Sequence, residues 1–389
     1  MKSNYEPLGK HIRLVDYRNS EEITSTVLGI SIDKEFIPSV ANVIGTDLSR
    51  YKLISKGLFA CNPMHVGRDE RLPIALYENE EPAIVSPAYF MFEIIDRTIL
   101  NEEYLMMWFR RPEFDRECWF MTDGSVRGGI TWDDLCRIQL PVPPYERQLD
   151  VVESYRAITR RIAMKKEIND NLEATAQAVF QEQFASFYGA DELPDGYRII
   201  NLDNLCTVKG GKRLPADCKL LDTPTDHPYI RVRDVGSNRY VCLTNQFQYI
   251  DEETYSAISR YIVNTGDIVI SIVGTIGLLG KIHSSLDKAN LTENCVKLAN
   301  IHTVTSDYLY YTLCYKKQIK EIDLLTVGAV QAKLPMYNIQ SMKILVPPTK
   351  AIEAFQRKMN VLNEQIEANT VEIQKLYELE EVLLAKLSD

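Results

Sequence analysis

Residues 140–148 read LPVPPYERQ and residues 344–352 read ILVPPTKAI, and these two stretches decide the fold. In each stretch a proline pair stops a strand-like apolar segment, because proline lacks the amide donor and restricts the residue before it. At the same offset of 204 residues, Glu103-Tyr104-Leu105 falls on Asp307-Tyr308-Leu309, and Gly124-Ser125 falls on Gly328-Ala329. The sequence therefore predicts an internal duplication, with two copies of a globular domain that are each followed by a long helix.

The segments after the proline pairs are predicted to be long helices. Neither Pro nor Gly occurs from Glu146 to about Phe187 or from Lys350 to Leu387. Apolar residues recur in both segments with the seven-residue period of a coiled coil. About 40 residues at a rise of about 1.5 Å each give helices roughly 60 Å long. The residues predicted to form the helix interface are Val151, Ile158, Ile162, Asn169, Leu172, Phe355, Leu362, Ile366, Asn369 and Leu376.

The two helices are expected to pack against each other, since a narrow apolar stripe must be buried. An antiparallel arrangement lets Asn169 oppose Asn369, so that each buried amide finds a partner, and it brings Lys165 near Ile373. A parallel arrangement stays open at this point. The alternative is a pair of solvated helices whose stripes are covered by partner proteins.

The expected fold class is α+β, with two mixed α/β globular domains and an antiparallel coiled coil. The predicted boundaries are 1–145 for the first domain, 146–190 for its helix, 191–348 for the second domain and 349–389 for the second helix. Short strands are predicted at Ile230–Arg233, Tyr240–Leu243 and Asp267–Val273. Helices are predicted at Asn101–Arg110 and Ser306–Ile322. The pair Asp195-Gly196 marks the turn into the second domain.

The composition is that of a globular protein with no export or membrane signal. The chain has 389 residues, of which 45% are hydrophobic and 25% charged, and its formal charge is −10. No window approaches the roughly 18 apolar residues of a membrane span. The N-terminal stretch lacks an apolar signal core, and the eight cysteines form no CxxC pair. We therefore expect a cytoplasmic protein with reduced thiols and no metal site.

The motifs that resemble catalytic sites lack an essential residue or the required context. Val142-Pro143-Pro144-Tyr145 resembles the amino-methyltransferase motif, but Val142 stands where an Asp or Asn must accept hydrogen bonds from the target amino group. Gly274, Gly277 and Gly280 are spaced like a nucleotide loop, yet a strand follows them, which favours a hairpin turn. The five histidines are isolated from one another. The sequence predicts a non-catalytic chain; an enzyme with an unrecognised site is the alternative.

Local basic loops predict nucleic-acid binding despite the acidic total. Between Thr207 and Val241, seven basic residues face four aspartates. Loop Arg, Lys, Asn and Gln side chains hold phosphates and read base edges. A merely solvated loop, or helix capping near the junctions, is the alternative. The candidates are Arg13, Tyr17, Arg18, Asn62, His65, Arg68, Arg71 and Arg127 in the first copy, and Lys209, Lys212, Arg213, Arg231, Arg233, Asn238, Arg239, Gln331 and Lys333 in the second.

This layout resembles the DNA specificity subunit of type I restriction-modification systems along the whole chain. The resemblance rests on Gly-Asp-Ile-Val-Ile-Ser…Gly-Thr-Ile-Gly at Gly266–Gly277, on Gly-x-x-Gln-x-x-Leu at Gly328–Leu334, and on the proline pair entering a helix. The first copy follows the family at Pro143–Gln148. The second departs from it, because Ile352 stands where Gln148 maps. The first copy reads Cys61-Asn62-Pro63-Met64 where the Gly-Thr-x-Gly turn is expected.

The resemblance implies that each globular domain is a target recognition domain for one half of a bipartite double-stranded DNA site. The helices would set the spacing and dock two methyltransferase subunits, which use S-adenosylmethionine on adenine. Motor-nuclease subunits that need ATP and Mg²⁺ would join for restriction. The chain itself would hold no cofactor, and much of the phosphate neutralisation would come from the methyltransferases. The other hypothesis is a coiled-coil scaffold joining two protein-binding domains without a role on DNA.

Overall fold

The computed structural model describes residues 5–39, 45–122, 128–188, 190, 192–236, 239–244, 247–328 and 332–388, without the side chains of His65 and Ser388. The chain divides into two compact units. The first unit comprises residues 1–164 and 375–389, and the second comprises residues 165–374. Both units thus contain part of each long helix. The four-segment division expected from the sequence remains a prediction about domains.

In the described part of the first unit there are three sheets and four short α-helices. Its strands pair in the orders β1-β10, β2-β9-β6-β7 and β4-β3-β8-β5. The strands are β1 Tyr5–Pro7, β2 Ile12–Leu14, β3 Val27–Ile30, β4 Phe36–Pro38, β5 Lys52–Ile54, β6 Phe59–Cys61, β7 Ile74–Leu76, β8 Ala83–Val85, β9 Phe90–Ile94 and β10 Gln139–Pro141. The short helices are α1 Val66–Asp69, α2 Glu102–Phe109, α3 Pro112–Phe120 and α4 Trp132–Arg137.

The first long helix follows as α5, Tyr145–Phe184. The second unit then continues with β11 Arg198–Asn201, β12 Thr207–Gly210, β13 Pro228–Ile230, β14 Tyr240–Val241, β15 Gln248–Tyr249, β16 Ile268–Ser271, β17 Leu279–Ile282, β18 Asn290–Leu291, β19 Cys295–Ala299 and β20 Lys343–Val346. Its helices are α6 Glu252–Ile258, α7 Ser306–Cys314, α8 Lys316–Leu325, α9 Met336–Ser341 and the long α10 Thr349–Ala385. The sheet orders are β11-β20, β12-β19-β16-β17-β14 and β15-β13-β18.

The duplication is confirmed at the level of individual hydrogen bonds. The Leu8 amide donates to the Ile138 carbonyl at 2.8 Å, and the Leu202 amide donates to the Met342 carbonyl at 3.0 Å. The Tyr104 hydroxyl donates to the Pro141 carbonyl, and the Tyr308 hydroxyl donates to the Leu345 carbonyl. In both pairs the acceptors lie 204 residues apart. The two units therefore share a frame of one helix, one strand pair and one buried tyrosine.

One predicted helix is wrong in its extent. The stretch Ser306–Ile322 is two helices, α7 and α8, because Tyr315 has an extended backbone with φ −70° and ψ 133°. The Tyr315 ring is buried against Phe180 and Tyr188, which fixes the break. The predicted strand Ile230–Arg233 also ends early, since Val232–Asp234 forms a 3₁₀ turn. Aromatic packing and a local turn outweigh the pattern of apolar residues at these two places.

The helix pair is antiparallel, as predicted. In the second unit Asn169 meets Asn369, and eleven residues further along α5 the Phe180 ring lies 6.0 Å from that of Phe355. In the first unit the Tyr155 hydroxyl donates to Glu380 at 2.8 Å. The expected ends at Phe187 and Leu387 fall in 3₁₀ turns, Ala185–Phe187 and Lys386–Ser388.

The predicted interface residues fall into three environments. Ile162, Ile366, Asn369 and Leu376 are buried, and Ile158, Asn169, Leu172 and Leu362 are half-buried. Val151 and Phe355, which are equivalent positions, pack instead into the cores of the first and second units, respectively. The ends of the helices are thus part of the globular cores, and the coiled-coil contacts lie between those ends.

A polar layer interrupts the apolar seam of the helix pair. The Asn369 side chain is fully buried and donates to the Asn169 oxygen at 2.8 Å. The Lys165 ammonium donates to the Asn369 oxygen at 3.0 Å and pairs with Glu372, the residue before Ile373. The Gln365 amide also donates to Asn369. A buried Asn pair of this kind fixes the register of a coiled coil at some cost in stability.

We expect Asn369→Leu to lower the free energy of unfolding by about 1–3 kcal/mol, since it leaves the Asn169 amide without its buried partner. Urea unfolding would measure the change, and amide hydrogen exchange along α5 would report the register. Asn171→Leu is the matched control, because Asn171 is exposed on α5, the helix that carries Asn169, and should change stability by about 0.5 kcal/mol or less. Higher stability with unchanged exchange protection would contradict a register role.

Candidate nucleic-acid interface

The turn between β16 and β17 is a hairpin, as predicted, and not a cofactor loop. The strands are antiparallel, with Ile270 opposite Leu279. Gly274 and Gly277 have φ of +82° and +81°, a backbone conformation that favours glycine. The Ser271 hydroxyl donates to the Thr275 carbonyl at 2.6 Å and accepts from the Leu278 amide at 2.9 Å. A serine and two glycines thus build a tight, rigid turn.

The second family-like motif lies directly beside this turn. The Leu334 amide donates to the Ile272 carbonyl at 3.0 Å, and Lys333 forms a backbone bridge with Val273. Val327 and Lys333 exchange two backbone hydrogen bonds at 2.9 and 2.8 Å. The two motifs, more than 50 residues apart in sequence, therefore form one structural element at one end of the five-stranded sheet.

The end of β12 reaches the same end of the sheet. Gly210 is paired with Val296, and Ile270 of β16 is paired with the other side of Val296. An open cavity of about 430 Å³ lies here. It is lined by Gly210, Ile272, Val296, Lys333, Pro335, Met336 and Tyr337. We call residues 210–212, 274–277 and 333–337 the sheet-end surface.

The sheet-end surface presents lysines and an exposed aromatic ring. Lys212 and Lys333 are exposed, as is Lys209 just before Gly210. Among the described residues, no carboxylate lies within ion-pair distance of these three ammonium groups. The Tyr337 side chain is 67% exposed. Lysines hold phosphates and aromatic rings stack on bases, so this combination suits a nucleic acid.

The arginine candidates of the second unit differ in their exposure to solvent and in the partners that bind their guanidinium groups. Arg213 is 81% exposed and pairs with Glu293 at 2.6 Å, and Arg233 is 65% exposed. Arg231 is only 14% exposed and is held by Asp234 and Gln248. Arg239 is 2% exposed and is bound to Asp307 inside the unit. Arg239 was expected to lie on a DNA-reading loop; its burial corrects that expectation.

The first unit repeats the framework of this site with different residues. The Ile130 amide donates to the Pro63 carbonyl at 3.2 Å, just as the equivalent Leu334 amide donates to Ile272. Pro63 therefore corresponds to Ile272, and the backbone that follows it, the 3₁₀ turn Pro63–His65 and helix α1, stands where the second unit has its glycine turn. Asn62 caps the 3₁₀ turn Pro63–His65 by accepting from the Met64 amide. It also lines a cavity of 270 Å³ with Val27, Leu28, Ser39, Tyr51, Met64, Ser86, Ala88 and Tyr89.

The basic candidates of the first unit are exposed and carry carboxylate partners. Arg13 pairs with Glu93 at 2.7 Å, Arg18 with Asp16 at 2.7 Å, Arg68 with Asp69 at 2.7 Å and Arg71 with Asp33 at 3.4 Å. Tyr17 is 50% exposed. Exposed ion pairs of this kind are weak and exchange readily for a phosphate. Arg127, Asn238, Gln331 and the His65 side chain lie outside the described residues.

Sequence reasoning missed Met336 and Tyr337, which lie on the sheet-end surface, and the buried partners of Arg239. Met336 and Tyr337 follow the Gly-x-x-Gln-x-x-Leu motif after Pro335, and their exposure depends on where α9 begins. Among the described residues, no cluster of three or more His, Cys, Asp or Glu side chains could hold a metal ion. No described helix has the length and apolarity to cross a membrane.

Comparison with known proteins finds one family. A family model for the type I restriction modification DNA specificity domain matches residues 194–382. The type I restriction enzyme HindI specificity subunit of Haemophilus influenzae is 20% identical, over 96% of this chain and 95% of that one. The MjaIX specificity subunit of Methanocaldococcus jannaschii is 21% identical, over 76% of this chain and 70% of that one. Residues 194–382 thus match the type I restriction modification DNA specificity domain, and the chain as a whole is similar to type I specificity subunits.

The fold agrees with that of a solved member of the specificity family. The crystal structure of the S subunit of a type I restriction-modification system from M. genitalium has a TM-score of 0.51 and 12% identity. The alignment covers 98% of this chain and 95% of that one. The family match at 194–382 contains the hairpin turn, the sheet-end surface and most of α10. The resemblance of the motifs is thus confirmed in the second copy.

Proposed function

We propose that this chain is the DNA-recognition subunit of a type I restriction-modification complex, and that each unit reads one half of a bipartite duplex site. The observation that carries the proposal is a frame repeated at an offset of 204 residues whose sheet ends carry different loops. Where the second unit has the glycine turn Gly274–Gly277, the first has the 3₁₀ turn Pro63–His65 and helix α1. A common framework whose loops differ between the two units suits the recognition of two different half-sites.

We further propose that the helix pair sets the spacing of the half-sites and docks two methyltransferase subunits. Support comes from the apolar side chains that the helices expose to solvent, beyond those in the seam. These are Met164, Ile168, Val361, Val371, Leu379 and Val382. Met164 and Ile168, four residues apart on α5, lie on one face of that helix, and exposed apolar faces of this kind favour protein contacts. Motor-nuclease subunits would join the same assembly for restriction.

In this proposal the chemistry belongs to the partners. The methyltransferases would bind S-adenosylmethionine, and the motor-nuclease subunits would use ATP and Mg²⁺. This chain would be non-catalytic and would act in the cytoplasm, where the DNA is. Its formal charge of −10 is compatible with this division of labour, because the partners would neutralise many of the phosphates.

The decisive experiment measures duplex binding and methyl transfer with and without the methyltransferase subunits. Weak binding by the chain alone and tight, sequence-specific binding by the reconstituted complex support the proposal. Labelled S-adenosylmethionine should methylate DNA only in the complex. Methyl transfer by the chain alone would make it an enzyme, and a complex without DNA binding would make it a scaffold.

The lysines of the sheet-end surface give a quantitative prediction. The double variant Lys212→Ala and Lys333→Ala should weaken binding of the complex to every duplex. The slope of the logarithm of the binding constant against the logarithm of salt concentration should fall by the amount that corresponds to about two phosphate contacts. Lys288→Ala is the control, since Lys288 is exposed near the opposite end of β16, beside Asn264. Binding titrations at several salt concentrations measure both slopes. An unchanged slope in the double variant would remove these lysines from the interface.

A further inference from the structure

Arg239 is the centre of a buried polar cluster in the second unit. One terminal nitrogen donates to the Tyr311 hydroxyl at 3.0 Å and to the Asn363 side-chain oxygen at 2.6 Å. The other donates to the Asp307 carboxylate. The guanidinium also lies over the rings of Tyr240 and Tyr311, 5.1 Å from each centroid. A side chain enclosed in this way has no surface left for a phosphate.

Asp307 is the acceptor that balances this cluster. It accepts from the Lys281 ammonium at 2.5 Å, from the Gln356 amide at 2.6 Å and from the Asn363 amide at 2.8 Å. Burial acts to raise the pKa of Asp307, but Lys281 and Arg239 outweigh it and lower the pKa to about 2. The carboxylate is therefore charged at any physiological pH, and both cations depend on it.

The cluster ties strands β14 and β17 to both long helices. On α5, Glu173 accepts from the Tyr311 hydroxyl at 3.0 Å. On α10, Gln356 and Asn363 bind Asp307, and the Gln374 amide donates to the Leu243 carbonyl just after β14. The His283 ring nitrogen Nε2, just after β17, lies 2.8 Å from Glu367 of α10. The base of the β16–β17 hairpin is thus held at several points on the helix pair.

The β16–β17 hairpin connects the buried cluster at its base with the sheet-end surface at its tip. Lys281 lies on β17 at the base of the hairpin, and Gly274–Gly277 form its tip. β14 packs so closely on β17 that a Cβ at Gly280 would lie 2.4 Å from the Val241 side chain. Two strands in such contact move together. The cluster at the base therefore determines where the tip of the hairpin points.

The first copy lacks this arrangement. The positions equivalent to Gln356, Asn363 and Glu367 are Val152, Thr159 and Ala163. Glu103, the equivalent of Asp307, instead pairs with Arg156 at the surface, where their side chains are 24% and 47% exposed. The buried cluster of Arg239, Asp307 and the α10 amides is consequently specific to the second copy, whereas the first copy uses a partly exposed ion pair. The buried cluster belongs with the divergent loops and not with the repeated frame.

We infer that Arg239 is a positioning residue for DNA recognition by the second unit, and that it fixes the direction of the sheet-end surface relative to the helices without contacting DNA. The inference rests on the proposed function. It predicts that loss of Arg239 impairs discrimination at one half-site, while the number of phosphate contacts stays the same. A direct contact to a phosphate would show the opposite pattern.

The test uses the complex of the full chain with its methyltransferase subunits. The target is first defined from the sequences that the wild-type complex methylates. Binding of Arg239→Gln and Arg239→Lys complexes is then measured on the target, on duplexes altered in either half, and over a range of salt. For the Arg239→Gln complex, we expect the ratio of affinities for the target and for the altered duplex to fall at least tenfold when one half-site is altered, and to stay unchanged for the other. The dependence of binding on salt concentration should not change. Arg239→Lys should recover part of that preference.

Two further variants keep the test decisive if Arg239→Gln fails to fold. Asn363→Ala and Gln356→Leu remove helix-side partners and leave the Arg239–Asp307 pair in place; both should weaken discrimination at the same half. A salt slope reduced by about one contact with equal loss on all sequences would assign Arg239 to a phosphate and overturn the inference. Unchanged discrimination in all variants would overturn it as well. A wild-type complex without any sequence preference would instead refute the proposed function.

Discussion

Replacing Asp307 with asparagine is expected to lower the free energy of unfolding of the second unit by about 3–5 kcal/mol. The substitution removes the carboxylate that pairs with both Arg239 and Lys281, whose side chains are 2% and 12% exposed. Arg239 is left with the more distant carboxylate of Glu173, at 3.8 Å. Taking one partner from a buried ion pair leaves an uncompensated charge in a poorly solvated site. Urea unfolding would measure the loss of free energy of unfolding. It would be followed by circular dichroism and by a probe of the second unit other than tryptophan fluorescence.

The duplication supplies the control for this variant. Glu103 is equivalent to Asp307, but its ion pair with Arg156 is partly exposed, so Glu103→Gln should cost about 1 kcal/mol or less. Equal losses in the two variants would contradict the buried role of Asp307. The variant should also change the response to acid. Because the pKa of Asp307 falls from 3.8 to about 2 on folding, its contribution is complete above pH 3.8 and is lost as the pH falls towards 2.

Phe355→Ala is expected to cost about 3–5 kcal/mol, as large-to-small changes of buried aromatic residues do. The Phe355 side chain is fully buried, and its ring lies 5.5 Å from Phe184 and 6.2 Å from Tyr308. Its loss would open a cavity where α10 enters the core of the second unit. Thermal and urea unfolding would measure the effect.

Val151→Ala is the corresponding change in the first copy. Val151 occupies the equivalent position but is only half-buried, so the expected loss is below about 1.5 kcal/mol. A loss of stability as large as that of Phe355→Ala would mean that the first residues of both long helices contribute equally to the stability of their units. A small effect of Phe355→Ala would mean that the aromatic cluster relaxes around the cavity.

The repeated frame was predictable from sequence because its signals are local or have a fixed offset. The proline pairs mark the helix starts within one residue, and α4 and α9 begin at Trp132 and Met336, at the offset of 204. The heptads place Asn169 opposite Asn369 once the helices are antiparallel. Periodicity and chain breakers suffice for such features, since they act over a few turns.

The roles of individual basic residues were not predictable in the same way. Arg231, Arg233 and Arg239 occur in one stretch of basic loop, yet one is exposed and two are held by internal partners. The partners of Arg239 come from 68 and 124 residues further along the chain. Burial of a charged residue depends on such distant groups, and composition does not reveal them. The same holds for Tyr315, whose aromatic neighbours break a helix that the local pattern extends.

The first unit takes three leucines from the far end of the chain into its core: Leu383, Leu384 and Leu387. The whole second unit, residues 165–374, is made between its two parts. At about 5–20 residues per second, a ribosome needs roughly 10–40 s to produce that insertion. During this interval the part of the first unit's core that these leucines cover stays exposed to solvent. Newly made chains should therefore depend on chaperones until residues 383–387 have been synthesised, and the first unit should mature after the second.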